Sequence, residues 1–131
     1  MFMLSVVIPV YNEEKNISEA LRRVSAYLSL KNFSWEVLVV DDGSKDSTRD
    51  VLLKYIQEHP GQPVHVLRFD PNHGKGFAVR QGMLAAKGRY VLMSDVDMSA
   101  PIKEVDKLIT AIDRGAEVAI GSRAVRAPGC D

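Results

Sequence analysis

Short apolar runs rich in β-branched residues alternate along this chain with longer segments of helical period, and few folds accept that order. The first run, Leu4 to Val10, is almost unbroken, as in a strand buried on both faces rather than one. From about Glu13 to Leu28, the residues Ile17, Leu21, Val24 and Leu28 recur at helical spacing. Asn12 is placed to cap that helix, with Glu13 and Glu14 suited to its first turn. Trp35 to Val40 reads as a second buried strand. Asp46 or Ser47 then opens a helix through Val51, Leu52, Tyr55 and Ile56 that stops before Pro60 and Gly61. Val64 to Phe69 is a third strand, and a helix follows from the Asn72–Gly76 loop through Ala86, with Gly88 as its stop. Tyr90 to Met93 is a fourth strand. Pro101 suits the first position of a helix ending near Arg114 and Gly115, and Val118 to Ile120 is a fifth strand. Such alternation predicts right-handed βαβ units and an α/β fold: a mostly parallel sheet with helices on both faces. One domain is expected over residues 1–123, with 124–131 a loop or tail that shows no period.

Bulk properties narrow the function classes. A chain of 131 residues can bury the core of one domain. Its 17 basic and 17 acidic residues cancel, so no global field attracts nucleic acid. The single cysteine, Cys130, excludes an intrachain disulfide framework. With no secretory signal pattern, a reducing cytosolic compartment is the expectation. No apolar run approaches the ~20 residues that span a bilayer.

The chemistry-bearing residues fall where predicted strands end, which is where ligands bind in open α/β sheets. After the fourth strand comes Asp95-Val96-Asp97, two carboxylates suited to sharing one hard divalent cation, Mg²⁺ or Mn²⁺, with a substrate phosphate. After the first strand, Tyr11 and Glu13 fit either a capped helix start or a nucleotide pocket, with the ring beside a base and the carboxylate on ribose hydroxyls. After the second, Asp41-Asp42-Gly43-Ser44 fits either a capped turn or an acceptor for a base N–H or a ribose hydroxyl. Gly74-Lys75-Gly76 opens a helix containing Arg80, and N–H groups there with the Lys75 charge suit phosphate. Arg80 reaches either the site or water. His73 fits a loop histidine or a ligand; Phe77, Met83, Met93 and Met98 fit packing. The spacing of His and Cys does not suit zinc. No Gly-x-Gly-x-x-Gly follows the first strand, which disfavours a nicotinamide Rossmann domain, and a Walker A loop is absent.

Taken in order, Ser5–Glu14, Val40–Thr48, Asn72–Gly76 and Asp95–Asp97 resemble the motifs of family 2 inverting glycosyltransferases with a GT-A fold, over Leu4 to Arg123. Gly74–Arg80 and Asp97–Pro101 look most like the dolichyl- or polyprenyl-phosphate branch that uses UDP-glucose. The resemblance implies a uridine pocket from Pro9, Tyr11, Glu13 and Asp42, with Asp41 beside it. It implies a metal and diphosphate site at Asp95 and Asp97, and Arg123 near the acceptor phosphate. The expected reaction moves a hexose, with inversion, from a nucleotide sugar to a polyprenyl or dolichyl phosphate. UDP-glucose is the expected donor and GDP-mannose its alternative. Val96 is bulkier than the family's usual residue there and is expected to point away from the converging aspartates. Relatives continue with an acceptor half that contacts the membrane, so this chain is expected to be the nucleotide-binding part of an enzyme peripheral to the cytoplasmic face. Apolar surface left bare by that half is expected to favour self-association. The alternatives are a family 2 transferase acting on a saccharide or protein hydroxyl, an inert nucleotide-binding module, and a sugar-nucleotidyl transferase, whose glycine-rich basic loop is missing here.

Overall fold

A computed structural model describes residues 2–96, 118–119 and 124–126. Strand β1 (Phe2–Val10) pairs in parallel with β2 (Trp35–Asp41) on one side and β4 (Gly88–Met93) on the other. Strand β3 (Val64–Arg68) joins β2 in parallel. Two short strands, β5 (Val118–Ala119) and β6 (Ala124–Arg126), complete the described sheet in the order β3-β2-β1-β4-β6-β5. β6 runs antiparallel to both β4 and β5, with Leu92 opposite Ala124. The mostly parallel sheet is thus as expected, but Ala124–Arg126 is a strand and not part of a loop. Three residues are too few for sequence periodicity to register, and their pairing is supplied by β4.

Helices α1 (Ile17–Leu28) and α2 (Thr48–Glu58) cover one face of the sheet, and α3 (Lys75–Ala85) covers the other. Pleating divides the core accordingly. Leu4, Val6, Ile8, Val10, Val37 and Val39 pack with Ile17, Leu21, Val24 and Leu28 of α1 and Leu52 of α2. Val7, Leu38, Val40 and Val91 point the opposite way and meet Ala78 of α3. Burial on both faces explains why β1 and β2 read as continuous apolar runs. The first three strands are laid down in one direction and β4 returns to the far side of β1, so the winding reverses between β1 and β4.

Two helix boundaries differ from the sequence expectation. Asn12 does not cap α1, which begins four residues beyond Glu13 with Asn16 at its N-cap. Asn12 adopts a left-handed φ of 55°, tolerated by asparagine, and its polar groups are used by another loop described below. Gly88 does not stop α3 but starts β4. A Cβ there would lie 2.6 Å from Ser5 N and Oγ, so only glycine lets β4 approach β1 at this point. That contact belongs to a buried polar chain at the N-terminal end of the strands. Gly88 N–H donates to Ser5 Oγ (2.7 Å), Ser5 Oγ–H donates to Glu36 (2.6 Å), and Lys87 N–H donates to the same Glu36 oxygen (2.7 Å). It pins the α3–β4 turn beneath β1 and β2.

The expected helix from Pro101 to Arg114 and Gly115 lies outside the described residues, as do Met98, Ile120 and the remainder of the tail. Among the described residues no helix is long and apolar enough to cross a membrane.

Gly88→Ala forces a methyl group against backbone and should cost about 1–3 kcal/mol of stability, the range for overpacking. Urea unfolding checks this, and an unchanged midpoint would mean the strands can part there without penalty.

Candidate functional site

Where the winding reverses, the C-terminal ends of β1 and β4 diverge and leave a cleft, the position at which such sheets bind ligands. The cleft has a volume of about 370 Å³, and its walls are drawn from four segments. Pro9, Val10, Tyr11, Glu13 and Asn16 come from the end of β1 and its following loop, and Asp42 from the end of β2. Lys75 and Ala78 come from the start of α3, while Asp95 and Val96 follow β4. Six residues singled out in the sequence therefore meet here: Pro9, Tyr11, Glu13, Asp42, Lys75 and Asp95.

The loop after β1 is held in place by the loop after β2 through donors and acceptors far apart in sequence. Asn12 N–H donates to Ser44 Oγ and Lys45 N–H donates back to Asn12 Oδ1, both at 2.8 Å. Glu13 N–H donates to Thr48 Oγ1 (2.8 Å), and Glu14 N–H to Asp46 (3.4 Å). Asp46 also accepts from the Thr48 hydroxyl and, at 2.9 Å, from Thr48 N–H. This bracing holds Tyr11, 42% exposed, at the edge of the cleft. It also explains the late start of α1: residues 12–14 are committed to contacts with the other loop.

Asp42 is buried, and its carboxylate is already engaged. It accepts from Gly74 N–H (2.7 Å), His73 N–H (3.0 Å) and Asn72 Nδ2 (3.1 Å), while Asn72 Nδ2 also donates to Asp42 O (3.0 Å). The loop before α3 is therefore folded around this side chain. Gly43 lets the two loops approach so closely. Its φ is +77°, and a Cβ there would lie 2.8 Å from Asn72 N. The exposed His73 ring stacks on Phe77 at 4.2 Å, and Phe77 meets Phe69 edge-on. Met83 packs against the α3 side of the core, in line with the sequence reading.

Two expected site residues are not brought to the cleft. Asp41 is wholly buried and paired with Arg68 (2.6 Å), and it accepts from Ser44 N–H (3.0 Å), so it fixes the turn. Strand alternation explains why Asp42 lines the cleft and its neighbour Asp41 does not: adjacent residues at a strand end point to opposite faces. Arg80 is exposed on α3 and is not among the residues that line the cleft. Val96 does not simply point away as expected; it is buried in the core on the α1 side and also lines the cleft floor. Asp97 and Arg123 lie outside the described residues. Asn16 lines the cleft without a signal in the sequence, whereas Ala78, Ser44 and Thr48 lie within recognised motifs that assign them no role, and Ser44 and Thr48 could not be matched to their partners across 32 and 35 residues.

Across the cleft, Lys75 Nζ lies 2.5 Å from Asp95 Oδ1, with the lysine side chain 56% exposed and the aspartate 20%. The donor chemistry fits a hard cation better than a soft one, since among the described residues neither histidine nor cysteine lines the cleft and Asp95 offers carboxylate oxygen. Among the described residues no three His, Cys, Asp or Glu groups converge, so Asp95 would need Asp97 or a ligand's own oxygens to complete a coordination shell.

A model described as "Glycosyl transferase family 2" matches residues 5–130. The chain is 43% identical over 132 residues to a dolichyl-phosphate beta-glucosyltransferase of Drosophila melanogaster, covering 92% of this chain and 40% of the relative. It spans 34% to 41% of the length of the similar curated relatives. Among solved structures, TarS 1–349 of S. aureus superposes with a TM-score of 0.67 at 30% identity, over 86% of this chain and 32% of that one. The mannosyltransferase PcManGT from Pyrobaculum calidifontis, solved with GDP-Man and Mn²⁺, gives 0.68 at 19% identity, over 96% and 44%, a likeness of fold.

Two outcomes follow from the bracing. Asp42→Ala should lower stability by about 1–3 kcal/mol, because it strands several donors. It should also speed hydrogen exchange at the His73 and Gly74 amides; unchanged exchange would mean that the carboxylate does not hold the loop. For Asp46, burial works against the charged form, but the hydrogen bonds from the Thr48 hydroxyl, Thr48 N–H and Glu14 N–H outweigh it and lower the pKa below its ordinary value of 3.8. Its contribution is therefore present above the unfolded value and lost as pH falls through the lower folded one. Asp46→Asn should slightly flatten the fall in stability below that ordinary value; an unchanged acid limb would contradict it.

Proposed function

Because the chain belongs to glycosyl transferase family 2, we propose that its cleft holds a nucleoside diphosphate sugar, with UDP-glucose the donor and GDP-mannose the alternative. The acceptor we propose is a polyprenyl or dolichyl phosphate, to which the hexose passes with inversion. The observation that carries this reading is the convergence of Tyr11, Glu13, Asp42, Lys75 and Asp95 on one cleft at the reversal of the sheet. An exposed aromatic ring suits a planar base, carboxylates suit ribose hydroxyls and base N–H groups, and a lysine at a helix N-terminus suits phosphate. The resemblance to dolichyl-phosphate beta-glucosyltransferase supports the lipid acceptor and the glucose.

In this reading Tyr11 lies beside the uracil and Glu13 accepts from the ribose. Asp42 forms the base wall, acting through the loop it gathers as much as by direct contact. Pro9 closes the pocket floor at the end of β1. Asp95, with Asp97, would hold a Mg²⁺ or Mn²⁺ ion against the diphosphate, where the ion would supply Lewis-acid neutralisation of the leaving group. Arg123 is assigned to the acceptor phosphate. That phosphate oxygen attacks the anomeric carbon from the face opposite UDP; it is already anionic, so no residue need remove a proton from it. The acceptor lipid would be met at a membrane surface.

Calorimetric titration of the chain with UDP, GDP and their glucose and mannose conjugates, with and without Mn²⁺, tests the donor. Uridine compounds should bind in preference to guanosine ones, and no binding of any of them would overturn the proposal. Product analysis with UDP-glucose and a short polyprenyl phosphate tests the acceptor; transfer to a sugar or protein hydroxyl instead would replace it. Asp97→Asn should weaken Mn²⁺-dependent UDP binding much more than metal-free binding, whereas equal weakening would remove the metal role.

A further inference from the structure

The ion pair across the cleft gives Asp95 a countercharge before any ligand arrives. Lys75 Nζ sits 2.5 Å from Asp95 Oδ1, on the oxygen donor that the proposed divalent ion would need. We propose that Lys75 is an exchangeable counter-ion: it holds Asp95 in the free protein, resists binding of metal alone, and moves to the diphosphate when metal and nucleotide arrive together. This inference deepens the donor reading above and rests on it.

Three features support the exchange. Lys75 is the first residue of α3, and its side chain, more than half exposed, has a flexible four-carbon stem free to swing within the cleft. Its backbone is fixed, because Asp42 holds the adjoining Gly74 N–H at 2.7 Å, so the ammonium moves about an anchored pivot. The first turn of α3 contributes no acidic side chain of its own, and Asp42 already occupies the amides that lead into it, so the Lys75 ammonium is the positive group this helix start offers an incoming diphosphate.

Charge accounting then sets the order of binding. A divalent ion alone must displace an ammonium from Asp95 and leave that ammonium beside a new positive charge. A nucleoside diphosphate brings the negative charge that accepts both. Metal and diphosphate should therefore bind synergistically, and by linkage each should raise the affinity of the other by the same factor.

The test is Mn²⁺ binding to the full chain, followed by electron paramagnetic resonance, alone and with UDP, for the original protein and for Lys75→Met and Lys75→Arg. Lys75→Met should bind Mn²⁺ alone about two- to fivefold more tightly, the range open to an exposed ion pair. It should bind UDP with metal more weakly, so that the synergy shrinks from both sides. Lys75→Arg should keep metal-alone affinity near that of the original protein. Unchanged or weaker Mn²⁺ binding by Lys75→Met, while the original chain still binds UDP with Mn²⁺, would overturn the counter-ion and leave the donor reading intact. Failure of the original chain to bind UDP would overturn the donor reading itself. Circular dichroism of each variant separates these outcomes from misfolding, and the substitution is at an exposed position.

Discussion

One carboxylate organises the cleft. Asp42 stands at the end of β2, buried, and gathers the Asn72 side chain and the His73 and Gly74 amides around it. A buried charge is tolerated only when donors surround it, and here the donors come from the loop that must be brought to the cleft. The start of α3, and with it Lys75, is positioned by that requirement. The loop after β1 obtains its shape in a similar way, from Ser44, Asp46 and Thr48. The three loops thus support one another through side-chain-to-backbone bonds, and the strands beneath supply only their points of departure.

Strand interiors were legible because burial on both faces leaves an unbroken apolar run, as at Leu4–Val10 and Trp35–Val40. The clustering of Tyr11, Glu13, Asp42, Lys75 and Asp95 was legible for a related reason: a parallel sheet sends every strand's C-terminal end to the same edge. What stayed hidden was decided by partners distant in the chain. Asn12 reads as a helix cap until Ser44 and Lys45 take its polar groups. Gly88 reads as a helix stop until Ser5 is seen against its α-carbon. Spacing alone does not separate Asp41 from Asp42, which only the family resemblance tells apart; one faces Arg68 and the other the cleft, a choice made by strand alternation at a boundary known only to within a residue.

The two ends of the sheet solve different problems. At the N-terminal end, Glu36, Ser5 and the Lys87 and Gly88 amides form a closed polar chain that binds three strands without offering a surface to ligands. At the C-terminal end the polar groups are split between those that hold loops, such as Asp46 and Asp41, and those left facing the cleft. Residues of the same type therefore have separable duties according to the end, and the face, on which the pleat sets them.

The close approach of Gly43 to Asn72 has a consequence for how such a chain can vary in length. With the turn after β2 lying against the backbone of the loop after β3, and Asp42 counting off three successive residues of that loop, residues 69–74 have no slack. An insertion or deletion there would slide α3 out of step with the sheet. The link between α1 and β2, residues 29–34, sits at the opposite end of the sheet from the cleft loops. Length changes should therefore accumulate in that link, while diversity in the 69–74 loop is confined to side chains, at constant length.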